Sequence, residues 1–173
     1  MTRPPRIVRR KAERSSVLIR DYDRRDAPAI TRLFYETVRS VNLQHYSKQQ
    51  VRAWAPAVPD PKIWHARMSQ RHTKVAEENG QIIAFVELER DGHLDMFYCG
   101  KDAIRRGLGR ALYGAVELKA IGLRLERIFT EASITARPFF EYCGFGVLRG
   151  HTATRGGIEL LNFVMEKRLL PFP

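Results

Sequence analysis

The sequence predicts an α/β or α+β domain in which about seven strands form a sheet flanked by four helices. Three observations predict it. Asn79-Gly80 separates two strand-like runs, and that dipeptide supplies the positive φ angles of a two-residue hairpin turn. Asp95 to Leu112 passes from an apolar strand through a tight basic turn with Gly107 and Gly109 into an amphipathic helix, whose apolar positions are Leu108, Ala111, Leu112, Ala115 and Val116. Ile30, Leu33, Phe34, Val38 and Val41 recur at a second helical spacing. At 173 residues and 44% hydrophobic, the chain is long enough for one domain with a sizeable core and too short for two ordinary ones.

Residues 1–15 hold Pro4, Pro5 and a basic cluster, and read as a flexible arm ahead of a single domain over 16–169. Val17, Ile19 and Tyr22 suggest a first strand. Asp26 then serves as a candidate N-cap for the helix through Val41, with Pro28 in its first turn. Ser47 caps a second helix that runs to about Trp54 and is closed by Pro56. From His45 to His65 the chain reads as irregular and proline-punctuated, and Tyr46, Trp54 and Trp64 either line a pocket or simply pack. Thr73 to Glu77 and Gln81 to Leu88 form the hairpin, and Asp91-Gly92 turns the chain into a third strand, His93 to Cys99. The glycine-turn helix ends near Gly122. Arg127 to Ala132 reads as a buried strand, and Ser133 or Thr135 caps a short helix that Gly144 stops. Val147 to Thr154 and Ile158 to Lys167 pair across Arg155-Gly156-Gly157, with apolar residues on both sides of the last strand that predict burial on both its faces.

A formal charge of +11 points to anionic partners, either nucleic acid or a phosphate-bearing ligand. Residues 1–14 alone carry +5, so the body is only moderately basic, and a nucleic-acid partner is the less favoured class. No run of about 18 apolar residues exists for a membrane span, and the charged N-terminus lacks the apolar stretch of a secretory signal. Cys99 and Cys143 sit in apolar or aromatic sequence, which fits a reducing cytoplasm. The five histidines show no metal-ligand spacing, so no metal is expected.

The turn before the second long helix is suited to phosphate. Backbone amides at a glycine-rich helix start are unpaired donors, the helix dipole favours negative charge there, and Arg105, Arg106 and Arg110 add full charges. The dipole supplies only about 0.3–1 kcal/mol, so a polyphosphate needs several charge-assisted hydrogen bonds at once.

Three motifs in order carry a family resemblance from about Val17 through Leu169. They are Arg106-Gly107-Leu108-Gly109-Arg110-Ala111-Leu112 between strand and helix; Thr130-Glu131-Ala132-Ser133 leading to Ala136-Arg137-Pro138-Phe139-Phe140-Glu141 and Gly144-Phe145; and the tail Leu161 to Lys167. The chain resembles the GNAT superfamily of acetyl-coenzyme A dependent N-acyltransferases, closest to its YafP-like bacterial branch. The resemblance implies a mixed, mostly antiparallel sheet that splays near its central strand. It also implies transfer of an acetyl group from acetyl-CoA to a primary amine of a small molecule or peptide, and allows a homodimer. By the same resemblance Ile104, Arg105, Arg106, Gly107, Leu108, Gly109, Arg110 and Ala111 hold the pyrophosphate. Phe97, Tyr98 and Cys99 pair with the pantetheine arm, with Ser133 and Phe140 across from them. Two departures stand out. Ile104 replaces the usual Gln or Arg, and Phe140 replaces the tyrosine that many members use to protonate the leaving thiolate.

Transfer to an amine needs a neutral nitrogen, a polarised carbonyl and a proton for the thiolate. A free backbone N–H near Phe97 or Tyr98 is the candidate oxyanion donor. Asp95, His93 and Glu87 are the candidate bases. His93 and Asp95 share a face of one strand, Glu87 lies on the neighbouring one, and Asp95 comes first because a carboxylate inside an apolar run is expected to be buried with a raised pKa. Tyr142 is the nearest tyrosine for the acid, although two helical residues, about 200°, turn it away from Phe140; Tyr98, Ser133 and water are alternatives. A nucleic-acid-binding module and a GNAT domain that binds acetyl-CoA without turnover are the competing readings.

Overall fold

The computed structural model describes residues 16–169, so the basic arm over 1–15 lies outside the described residues. Seven strands and five α-helices follow in the order β1 (Val17–Asp21), α1 (Ala27–Ser40), α2 (Lys48–Trp54), α3 (Pro61–Met68), β2 (His72–Glu78), β3 (Gln81–Leu88), β4 (Leu94–Cys99), α4 (Leu108–Gly122), β5 (Arg127–Ser133), α5 (Arg137–Tyr142), β6 (Gly146–Arg155) and β7 (Ile158–Arg168). The strands make two antiparallel sheets, ordered β1-β2-β3-β4 and β5-β7-β6. An isolated parallel bridge between His93 and Phe129 joins them. The expected splay is thus wide enough to split one sheet into two.

Local chemistry explains most element ends. Asn79 (φ 51°) and Gly80 (φ 77°) form the β2–β3 turn, and Gly156 (φ 54°) and Gly157 (φ 78°) the β6–β7 turn. Ser47 accepts from the Gln50 amide while Gln50 Oε1 accepts from the Ser47 amide, a reciprocal cap that starts α2. Asp26 precedes α1 as expected but does not cap it. Its carboxylate instead accepts from the Asp23 amide and from Arg20, and Asp23 does the capping of the short turn before α1. Ser133 Oγ, rather than Thr135, accepts from the Ala136 amide ahead of α5. Gly144 (φ 90°) ends α5, with the Phe145 and Gly144 amides donating to the Phe140 and Glu141 carbonyls.

α3 is a correction. The proline-punctuated stretch contains an eight-residue helix, because Asp60 accepts from the Lys62 amide and Pro61 occupies the first turn, where a missing N–H costs nothing. Trp64 and Met68 on α3 pack against the first sheet together with Phe34, Val75 and Phe85. α4, α5 and the turn after α5 cover the opposite face through Leu112, Val116, Phe140 and Phe145. The last strand is also corrected. Within β7 only Leu160 and Met165 are fully buried. By the period of two they lie on opposite faces, Leu160 in the core with α1 and α3 and Met165 in the core with α4, while Leu161, on the same face as Met165, is 43% exposed.

Candidate active site

The candidate site lies in the gap between β4 and β5, the facing strands of the two sheets. In the β3–β4 ladder Phe85 lies opposite Tyr98 and Val86 opposite Phe97, and the Gly100 amide donates to the Ile83 carbonyl at 2.9 Å. An antiparallel ladder alternates bonded and non-bonded pairs, so Tyr98 spends its backbone groups on β3 while those of Phe97 and Cys99 point the other way. On that side the strands part just beyond the His93–Phe129 bridge, where Thr130 Oγ1 donates to the Leu94 carbonyl at 2.8 Å. A cleft of about 850 Å³ opens there. Of the two amides named as oxyanion donors, Phe97 faces the cleft and Tyr98 does not. The Tyr98 side chain stacks on Phe85 and meets Phe34 edge-on, with its hydroxyl against Trp54.

At one end the cleft reaches the start of α4 and is lined by Ile104, Arg105, Gly107, Gly109 and Arg110. Gly107 sits at φ 78° as the residue before the helix, and no side chain caps the amides that follow. Gly109 lets Phe139 approach the helix: a Cβ there would stand 3.1 Å from the ring, which would have to shift by a few tenths of an ångström. Arg110 donates to the Tyr142 hydroxyl at 2.6 Å, which holds this exposed tyrosine at the loop. Arg106 turns away from the cleft and forms a two-pronged ion pair with Glu78. Leu108, the first residue of α4, is buried, and the Ala111 amide donates back to the Gly107 carbonyl. Ser133 lines the far wall, and Phe140, 2% exposed, offers only its ring edge beside Phe97.

The other end is acidic. Asp95 is the extra residue of a β-bulge between the Glu87–Met96 and Leu88–Leu94 pairs, which tips its side chain into the cleft. It is exposed rather than buried, and the guanidinium of Arg71, in the turn before β2, pairs with it. Glu87 is fully buried, outside the cleft, and bonded to Arg67 at 2.8 Å and Arg71 at 3.4 Å. Burial pushes its carboxyl up against the pull of both arginines. A base so enclosed cannot reach an amine in the cleft. His93 begins beside β4 rather than within it, and its ring lies between Glu131 and Glu89, whose carboxylates are 2.6 and 3.4 Å from Nε2 and Nδ1. Of the three aromatics, Trp54 lines the cleft. Tyr46 and Trp64 are core, the Tyr46 hydroxyl donating to Leu161 and accepting from the Ile134 amide. His45 and Thr135 meet across the mouth at 3.1 Å.

Residues 42–168 match the acetyltransferase (GNAT) domain family. The chain belongs to the GNAT acetyltransferases. With that family comes an acyltransferase that moves an acetyl group from acetyl-CoA, and neither a nucleic-acid-binding module nor a silent acetyl-CoA sensor gains support. The enzyme is 30% identical over 152 residues to an uncharacterized N-acetyltransferase, YafP, of Escherichia coli (strain K12), spanning 88% of this chain and 96% of the relative. It is also 30% identical to a GCN5-related N-acetyltransferase (aminotransferase, class-II) from Rhodopseudomonas palustris, whose crystal structure superposes with a TM-score of 0.84 over 90% of this chain and 97% of that one. YncA of Salmonella typhimurium, a putative acetyltransferase solved with acetyl-CoA, shares the fold at 18% identity, with a TM-score of 0.71 over 92% and 97% of the two chains. No helix among the described residues is long and apolar enough to cross a membrane.

The sequence reading missed Glu131 as a site residue, although its place in an otherwise buried strand marks it. It also missed Arg67 and Arg71, whose partners lie far away in the chain.

Proposed function

We propose that the enzyme acetylates a primary amine that enters the cleft as a cation, by direct attack of the freed amine on the thioester of acetyl-CoA. The observation that carries this is the two-ended cleft: the uncapped start of α4 and two arginines at one end, two carboxylates, Asp95 and Glu131, at the other. The pantetheine amides complete the ladder of Phe97 and Cys99, and the pyrophosphate lies on the first amides of α4 with Arg105 and Arg110. Unpaired backbone groups inside a protein are costly, so a ligand that satisfies them is favoured. The Phe97 N–H receives the developing oxyanion.

Direct attack is favoured by the chemistry of Cys99. Burial pushes its thiol up to about 12, so little thiolate exists to carry the acetyl group. Phe140 has no proton to give, and Tyr142, held by Arg110, stands at the α4 end of the cleft with the phosphate site rather than beside Phe97, so water protonates the departing thiolate. Asp95 holds the ammonium as it arrives.

Calorimetric titration of acetyl-CoA, followed by coenzyme A release with a panel of small amines and peptides, tests the reading; failure to bind acetyl-CoA ends it. Asp95→Asn is expected to raise the KM of the acceptor about tenfold, the loss of one charged hydrogen bond, while the Kd for acetyl-CoA stays within about twofold. An unchanged acceptor KM would remove Asp95 from the site.

A further inference from the structure

The acceptor end contains an imidazole placed between the two sheets where they separate. His93 stacks on Phe129 of β5 with centroids 5.0 Å apart and planes 19° from parallel, which fixes the ring's orientation. Glu131, two residues further along β5 and so on the same face as Phe129, bonds Nε2 at 2.6 Å while also lining the cleft. Glu89, in the turn after β3, faces the other nitrogen at 3.4 Å. One donor atom each of Glu89, His93 and Asp95 lies within 4.8 Å of the others. The cations nearby are already engaged: Arg71 with Asp95, Glu89 and Glu87, and Arg127 over the Phe129 ring and on Glu166.

We propose that the Glu131–His93 pair is the base of the reaction, with Glu131 touching the attacking amine and His93 holding the proton it removes. This rests on the acetyl-transfer reading above. The 2.6 Å contact is that of the protonated pair, with the proton between Nε2 and Glu131. Once that proton is lost, the neutral ring keeps its Nδ1–H on the Glu89 side, its Nε2 lone pair faces Glu131, and the pair has room for one proton again. The ammonium gives that proton to the cleft-facing carboxylate, which passes it to Nε2. The freed nitrogen pair forms the bond to the acetyl carbon, the C–S bond breaks, and the thiolate leaves with its electrons and takes a proton from water. After the product leaves, the imidazolium returns the Nε2 proton through Glu131 to solvent in the cleft, which restores the starting tautomer. Asp95 is unsuited to this step because Arg71 occupies it, and Glu87 because it does not reach the cleft.

Burial works to lower the His93 pKa, but the Glu131 hydrogen bond and the charges of Glu131, Asp95 and Glu89 outweigh it, so the net shift is upward from 6.5. The active form is the neutral imidazole. Activity therefore rises with pH through a value above 6.5, and losing Glu131 moves that limb toward acid. Two measurements test the pair in the full-length protein. The first is coenzyme A release from acetyl-CoA with a mixture of tyramine, spermidine and glycinamide. Glu131→Gln is expected to lower kcat about 10²-fold with unchanged acetyl-CoA binding, and His93→Gln to remove the acid limb. The second is NMR titration of the His93 ring, expected above its ordinary value in the wild type and lower in Glu131→Gln. Wild-type kcat in Glu131→Gln overturns the proposal, as does a His93 titration that Glu131→Gln leaves in place. A wild-type protein that does not bind acetyl-CoA overturns the acetyl-transfer reading itself.

Discussion

Replacing Arg105 and Arg110 together by glutamate is expected to weaken acetyl-CoA binding by about 10²-fold or more, while Arg106→Glu leaves it within about threefold. A hydrogen bond to a charged group contributes about 1.5–3 kcal/mol, and reversal replaces two attractions by two repulsions. The contrast comes from geometry, not composition. All three arginines belong to one loop, but Arg105 and Arg110 line the cleft while Arg106 is turned to Glu78 across the surface. Arg105 sits at φ 62°, the left-handed region that strains any residue with a Cβ, so glutamate there carries the same kind of backbone cost as arginine and the comparison reads the charge. Titration calorimetry at two salt concentrations reads the result, since the wild-type affinity falls with salt more steeply than that of the double mutant. Equal losses for Arg106→Glu and the double mutant would mean that the pyrophosphate lies on the outer side of the loop.

That contrast also marks how far the sequence could be read. The strand, glycine turn and helix from Asp95 to Leu112 were legible because their signals are local: period-two and period-3.6 apolar spacing, and a positive φ that Gly107 adopts without cost. The Asn79-Gly80 turn and the Ser47 cap were legible for the same reason. Which way a charged side chain turns is not local. Arg106 is set by Glu78, 28 residues away, and Asp95 by Arg71, 24 residues away. Asp95 was expected to be buried because its neighbours in sequence are apolar; the bulge turns it out instead. α3 went unseen because Pro56, Pro59 and Pro61 were taken together as breakers, although Pro61 after a capping Asp60 starts a helix. Burial on the two faces of β7 is limited to Leu160 on one and Met165 on the other, because an apolar run says nothing about how far the cover over each face extends.

Glu87→Ala is expected to cost about 3–5 kcal/mol of stability, the range for breaking a buried ion pair by removing one partner. Glu87 is fully buried in β3, and its two oxygens are the partners of Arg67 and Arg71. Arg67 lies with its guanidinium over the Trp64 ring, and its Nε is buried without a hydrogen-bond partner even in the intact protein. Removing the carboxylate leaves that group more poorly satisfied, and leaves Arg71 with Glu89 and Asp95 alone. The loss is read by urea denaturation, and Glu87→Gln, which keeps an acceptor for Arg67 but no charge, is expected to fall between the two. Glu87→Leu combined with Arg67→Met is expected to recover much of the stability, because apolar residues of similar volume need no ionic partner. A catalytic Glu87 would give the opposite pattern, a stable Glu87→Gln protein with no turnover. An arginine anchored by Glu87 gives instead an unstable Glu87→Ala protein whose acceptor KM rises through Asp95, since the buried carboxylate fixes the guanidinium that fixes the one in the cleft.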